Sequence, residues 1–119
     1  MAGGHSIMHV ADLERNGNWM LARRSLDLRS FGVNAVEIPP GESIPEHDET
    51  GRDQEELFIV WEGDAVMVID GTDHPAPKGT FVRLDPEPRR TVRNDSAAPV
   101  TVLIVSAPTG SGFVPMGWA

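Results

Sequence analysis

The 119-residue sequence contains no cysteine, which excludes disulfide bonds, thiolate metal ligands and thiol nucleophiles. Basic residues are also scarce. The sequence has ten lysines and arginines and 18 acidic residues, so its formal net charge is −8. Phosphate binding requires a basic face, so we expect no nucleic acid partner. The absence of disulfides is typical of cytoplasmic proteins, and we predict a cytoplasmic location.

Long apolar runs and targeting segments are lacking as well. The longest apolar run, VTVLIV at residues 100–105, is far shorter than the ~20 residues that a membrane-spanning helix needs. The N-terminal sequence lacks the basic region and apolar run of a signal peptide. We therefore predict no membrane association, and the length fits a single domain.

A helical period is the third missing feature. The segment ADLERNGNW (11–19) begins like a helix, but Asn-Gly-Asn would end it after about one turn. Short β-rich runs bounded by turn residues recur instead, and seven of them with no helix between predict an all-β sandwich or barrel. The runs are residues 19–28, 32–38, 56–62, 65–70, 79–84, 89–94 and 99–107.

Several of these strands are apolar on both faces. In ELFIVWE (56–62), alternation places Glu56, Phe58 and Val60 on one face, and the opposite face is apolar too. A strand with one wetted face should alternate apolar with polar residues, so something covers the second face. We predict a homodimer, and the alternative is a closed barrel wrapped by its N-terminal strands. The apolar residues of the C-terminal tail would dock across the barrel mouth or onto a partner.

The stretch PPGESIPEHDETGRDQEELFIVWEGDAVMVIDG resembles the first sequence motif of the cupin family. That motif reads Gly, five residues, His, one residue, His, a few residues, Glu, six residues, Gly. Here five residues separate Gly41 from His47, and six separate Glu56 from Gly63.

The segment PKGTFVRLDPEPRRTVRN resembles the second cupin motif, with a Pro-Gly start, a proline-containing turn and Asn94 at its end. The resemblance covers roughly residues 32–107. It implies the double-stranded β-helix, or jelly-roll barrel, of the cupins. The single domain of residues 1–119 would then have N-terminal strands in 1–31 and a tail at 108–119.

The resemblance also implies a metal site of three histidines and one glutamate, from which this sequence departs. His47 matches the first histidine, Glu49 stands at the second, and Glu56 matches the glutamate. Arg90, four residues before Asn94, stands where the last histidine belongs. Guanidinium has no lone pair to donate and stays protonated, so Arg90 cannot ligate a cation and would repel one.

Two interpretations of the site follow. In the first, which we favour, Arg90 points inward, pairs with Glu56, Glu49 or both, and no cofactor is bound. In the second, His47, Glu49 and Glu56 hold a divalent metal such as Mn, Fe, Zn or Ni. In both, Phe58 and Val60 line the pocket, which favours a partly apolar ligand.

Three functions are compatible with this site. The first is binding of a small molecule in the barrel with the metal site lost or degraded. The second is a metal-dependent cupin enzyme of the dioxygenase, isomerase or decarboxylase type. The third is metal-free acid–base catalysis, with His47 as base and Arg90 stabilising negative charge. The sequence leaves open whether the protein is an enzyme.

Overall fold

A computed structural model describes residues 2–119 of the chain. The regular secondary structure of this part of the chain is mostly β-strand, which confirms the predicted all-β class. The strands are β1 Arg15–Asn16, β2 Trp19–Met20, β3 Gly32–Ile38, β4 Gln54–Glu62, β5 Asp64–Ile69, β6 Thr72–Pro77, β7 Phe81–Leu84, β8 Arg90–Arg93 and β9 Val100–Pro108. The helical elements are α1 Ala22–Leu26 and single 3-10 turns at Ala2–Gly4 and Val10–Asp12.

Two antiparallel sheets enclose the core. The larger has the strand order β1-β2-β3-β9-β4-β7, and the smaller has the order β6-β5-β8. One hydrophobic cluster joins them, with Phe58 and Val60 from β4 on one side and Met67 and Val92 on the other. Phe58, Met67 and Val92 are each at most 2% exposed, and burial of such a side chain stabilises the fold by about 1.5–3 kcal/mol.

A tight turn between β4 and β5 requires the glycine that ends the first motif. Gly63 has a φ of +85°, and a Cβ atom there would lie 2.6 Å from the Pro99 carbonyl oxygen. Both the left-handed backbone and the close approach of residues 99–100 therefore exclude a side chain. The spacing from Glu56 to Gly63 thus reflects the length of β4 and its turn.

The structure corrects two secondary-structure predictions. The predicted strand at 19–28 is the short strand β2 followed by α1, so the expectation of no helix was wrong. Residues 22–26 are mostly good helix formers, and Asp27 ends the helix in the left-handed region at φ 55°. The predicted turn at 70–79 contains strand β6, whose two prolines are tolerated because β6 is an edge strand.

A third correction concerns the face that Met67 occupies, whereas Trp61 lies on the predicted face. Regular alternation placed Trp61 and Met67 opposite Glu56. Met67 instead lies in the same core as Phe58, because β5 belongs to the other sheet and faces β4 across the interior. Trp61 lies at a shift in the β4–β9 pairing between Val60 and Glu62, and it is 59% exposed.

Candidate functional site

The backbone places His47 directly beside Arg90. Residues 41–47 run antiparallel along β8 and its flanks, with isolated bridges at Ser43–Arg93 and His47–Arg90. His47 N donates to the Arg90 carbonyl at 3.1 Å, and Arg90 N donates to the His47 carbonyl at 2.8 Å. The two halves of the site, 43 residues apart in sequence, are therefore joined by main-chain hydrogen bonds.

The Arg90 side chain points inward and is completely buried. Its Nη1 donates to Glu56 Oε1 at 2.8 Å, and its Nε donates to the Pro88 carbonyl at 2.9 Å. Its Nη2 donates to the Asp85 carbonyl. This is the inward ion pair that the sequence interpretation favoured, with two carbonyls of the β7–β8 turn as additional acceptors. Each guanidinium nitrogen already has a protein partner.

His47 stands at the outer edge of the site, between two carboxylates. Its Nε2 lies 3.5 Å from Glu56 Oε1 and 3.9 Å from Glu49 Oε2. Its Nδ1 lies 3.1 Å from the Pro45 carbonyl oxygen, which can only accept, so this contact is a hydrogen bond in the tautomer with a proton on Nδ1. In the neutral ring, Nε2 then carries a lone pair that faces the centre of the site.

The site becomes steadily less accessible from the surface inward. The side-chain exposure falls from 37% at His47 to 16% at Glu49, 8% at Glu56 and 0% at Arg90. The site therefore has hydrogen-bond acceptors near the surface and a buried guanidinium behind them. Because Glu56 is paired with Arg90, the Glu49 carboxylate gives the site an excess negative charge when His47 is neutral.

The donor types suit a divalent metal, but the arginine charge does not. One ligand atom from each of His47, Glu49 and Glu56 lies within 4.8 Å of the others, which is close enough for all three to reach one ion. One histidine and two carboxylates would suit Mn, Fe or Zn. However, the Arg90 guanidinium binds Glu56 Oε1, and a metal on that oxygen would meet a neighbouring positive charge. Metal binding would require Arg90 to move.

Phe58 and Val60 share the face of β4 with Glu56, as alternation predicted. They are 1% and 3% exposed and belong to the hydrophobic core. They form the packed floor behind the ion pair, and their contact with a ligand stays a prediction. Arg89 and Arg93 contact acidic side chains at the surface.

The surface around His47 and Glu49 is acidic. The side chain and backbone of Thr50 both donate to Asp48, and these hydrogen bonds lower the pKa of that carboxyl below its usual value. Arg89 lies 3.5 Å from Glu46 and 3.9 Å from Asp48. Asp48 thus adds a negative charge next to His47 and Glu49.

Sequence reasoning identified Asn94 only as the end of a motif, and the structure shows its role. Asn94 is fully buried, and its Nδ2 donates to the carbonyls of Ile38 and Ala98, both at 2.8 Å. Its Oδ1 accepts from the backbone and hydroxyl of Ser96 at 2.9 and 2.6 Å. Asn94 thereby joins the end of β3 to the β8–β9 turn. The turn-forming sequence NDSAAP was the available signal.

A family comparison agrees with this fold. The Cupin_2 family, described as "Cupin domain", matches residues 34–106, which is more than half of the chain. The protein belongs to the cupin family, as the motif resemblance implied, and its fold is the predicted jelly roll. No curated protein matches the sequence.

Solved structures show the same fold. A cupin protein from Bacteroides fragilis is 24% identical, with a TM-score of 0.79 over 95% of this chain and 92% of that one. A protein described as a sugar phosphate isomerase from Silicibacter pomeroyi is 27% identical, with a TM-score of 0.66 over 78% and 61%. A predicted oxalate decarboxylase from Thermotoga maritima is 21% identical, with a TM-score of 0.60 over 65% of each chain.

Within residues 2–119, no helix is both long and apolar enough to cross a membrane.

Proposed function

We propose that this cupin binds a small molecule in the recess of its barrel without a metal. The observation that supports this proposal is the buried hydrogen bond of 2.8 Å between Arg90 Nη1 and Glu56 Oε1. The guanidinium takes the position of a metal-ligating imidazole and neutralises the glutamate that would otherwise serve as a ligand. We also propose a cytoplasmic location, on the cysteine-free composition, and no nucleic acid partner.

The ligand that suits this recess carries hydrogen-bond donors and no negative charge. Arg90 is fully buried, and all three of its nitrogens donate to protein acceptors, so a ligand carboxylate does not reach the guanidinium in this arrangement. The accessible groups are the Glu49 carboxylate and, in the neutral ring, the His47 Nε2 lone pair, and both accept. A polyol, sugar or amine fits these acceptors.

A thermal-shift screen of matched compounds tests this ligand class. Neutral sugars, polyols and amino sugars are compared with their oxidised carboxylate counterparts, and we expect only the first group to raise Tm. The Glu49→Gln variant should weaken binding of a hit about tenfold, because it replaces a charged acceptor with a neutral one. Glu62→Gln, which changes an exposed acid that pairs with Lys78, is the matched control. Stronger stabilisation by the carboxylates would contradict the proposal.

A metal-dependent enzyme is the second candidate, since the three ligand atoms of His47, Glu49 and Glu56 lie within 4.8 Å of one another. Elemental analysis of protein purified without chelators distinguishes the two candidates. We expect much less than one metal per chain, and a value near one would favour the enzyme. The Arg90→His variant should then gain affinity for Mn, Ni or Zn in calorimetric titration, because it removes the competing cation.

Acid–base catalysis by His47 is the third candidate, and the fate of the ligand tests it. A compound that raises Tm is incubated with the protein and followed by mass spectrometry. Binding alone leaves the compound unchanged. Conversion that is lost in His47→Gln would identify an enzyme that uses this imidazole.

A further inference from the structure

The outward side of the larger sheet is apolar and largely uncovered. We call this surface the outer face, and its main side chains are those of Leu57, Ile59, Trp61, Phe81, Leu103 and Val105. The pairing register places Leu57 beside Val105 and Ile59 beside Leu103. A groove of about 340 Å³ runs between Ile59, Trp61 and Phe81, and a second of about 350 Å³ lies beside Leu57 and Val105.

The N-terminal segment covers only one end of the outer face. Helix α1 contacts β3, and Ala35 on the outward side of that strand is 3% exposed. At the other end Trp61 is 59% exposed and Phe81 is 67% exposed. Wrapping by the N-terminal strands, the alternative that the sequence left open, therefore leaves the β4 and β7 part of the face in contact with solvent.

The C-terminal tail presents a second apolar surface. Residues 110–119 contain no charged side chain. Phe113 and Trp118 are 80% and 84% exposed, and Val114 and Met116 are 82% and 66% exposed. Thr109 fixes the start of the tail through hydrogen bonds of 2.7 and 2.8 Å to Asp53.

The tail surface is continuous with the outer face. Phe113 lines a groove of about 440 Å³ together with Phe31, Val105 and Ala107. A complete aromatic side chain has an area of about 150–250 Å². On this basis the exposed area of the aromatic, Val and Met side chains of the two surfaces is roughly 1,000 Å². A stable dimer buries about 800 Å² per partner, and the largest apolar patch of a typical monomer is about 300–600 Å².

Charge also favours a second copy as the occupant. The chain carries a net charge of −8, so two copies repel unless they meet through neutral surfaces. Ion pairs border the outer face, with Arg83 3.0 Å from Glu55 and 2.7 Å from Asp85, and with Lys78 3.0 Å from Glu62. The tail is uncharged. The outer face and tail thus form a neutral apolar region on an acidic protein.

We propose that the outer face and the tail form a symmetric interface between two copies of this chain. The tail of each copy lies in the groove between Ile59, Trp61 and Phe81 of the other. One surface then supplies both the projecting side chains and the groove that receives them, as a twofold interface requires. This assembly covers the second apolar face of the strands and the exposed tail together.

Light scattering after size exclusion, with sedimentation velocity over a range of concentrations, tests this interface. The wild type should show twice the chain mass of 12.9 kDa at micromolar concentration. Phe81→Glu places a charge in the groove, and removal of residues 112–119 deletes the tail. Each change should raise the dimer dissociation constant at least a hundredfold. Ile7→Glu, at an apolar residue 87% exposed outside this surface, is the matched control and should leave the dimer intact.

A mixing experiment tests the exchange of tails. The Phe81→Glu chain keeps its tail, and the tail-deleted chain keeps its groove. A mixed dimer of the two therefore retains one intact contact between a tail and a groove, whereas a dimer of either variant alone retains none. The two variants should associate with each other more strongly than either associates with itself. Circular dichroism shows whether each variant is folded. A wild type that is monomeric at about 100 µM would overturn the proposal. So would a dimer that survives either change in folded protein.

Discussion

Two arginines on the same short strand have opposite environments. Arg90 and Arg93 lie at the two ends of β8. Arg90 is fully buried and contacts one carboxylate and two carbonyls. Arg93 is 33% exposed and contacts two carboxylates, with Nη2 2.6 Å from Asp73 Oδ2 and Nε 2.7 Å from Asp95 Oδ1.

The comparison predicts that the stability lost with an arginine depends more on its burial than on the number of its ionic contacts. Loss of Arg93 returns its two acids to water, which solvates them well. Loss of Arg90 leaves the Glu56 carboxylate nearly buried with no positive charge in contact, and this is far more costly. Four predictions test this difference, in order of decreasing effect.

The largest effect is expected for Arg90→Met. The substitution keeps much of the side-chain volume but leaves a buried charge and two carbonyls without a donor. We expect the free energy of unfolding to fall by about 3–5 kcal/mol. Urea denaturation measures this change. Arg93→Met, the matched variant on the same strand, should cause a much smaller loss, and equal losses would contradict the comparison.

A smaller loss is expected when a buried neutral group is removed. Asn94→Ala leaves the carbonyls of Ile38 and Ala98 without their donor, and Ser96 loses its acceptor. We expect a loss of about 2–3 kcal/mol, since unpaired neutral groups cost less than an unpaired charge. The same urea experiment measures it, with the exposed Ser111→Ala as control. A loss larger than that of Arg90→Met would show that charge is not the decisive property.

The double variant Glu56→Leu with Arg90→Met removes both charges at once. Replacing a complete buried pair with apolar residues is often nearly neutral, so we expect stability within about 1–2 kcal/mol of the wild type. The unpaired carbonyls of Asp85 and Pro88 account for the remaining loss. A double-mutant cycle gives the coupling. If the stability loss of the double variant equals the sum of the losses of the two single variants, Glu56 and Arg90 are not energetically coupled.

The smallest effect concerns pH and the exposed network. Hydrogen bonds from Arg93 hold the pKa values of Asp73 and Asp95 below their usual values. Carboxyls with lowered pKa values stabilise the folded state above a pH of about 4, and this contribution is lost as the pH falls through the folded pKa values. The stability difference between wild type and Arg93→Met should therefore disappear in acid. NMR titration should show both pKa values rising in the variant, and unchanged values would exclude Arg93 as the cause.

The sequence predicts the features of this fold that depend on local spacing. Alternation along a strand correctly placed Glu56 and Arg90 toward the interior and Arg93 toward solvent. Alternation cannot tell which sheet a strand joins, and for this reason Met67 was assigned to the wrong side. The site was only partly predictable for a different reason. Arg90 donates to the backbone carbonyls of Asp85 and Pro88, and backbone acceptors leave no signal in the side-chain sequence.

The main-chain pairing of His47 with Arg90 has a consequence for how the site can change by mutation. Both residues are held in place by reciprocal hydrogen bonds of their peptide groups, which do not depend on side-chain identity. An arginine codon CGU or CGC becomes a histidine codon through one base change. A single mutation can therefore place an imidazole at position 90, on a backbone that its pairing with His47 already holds.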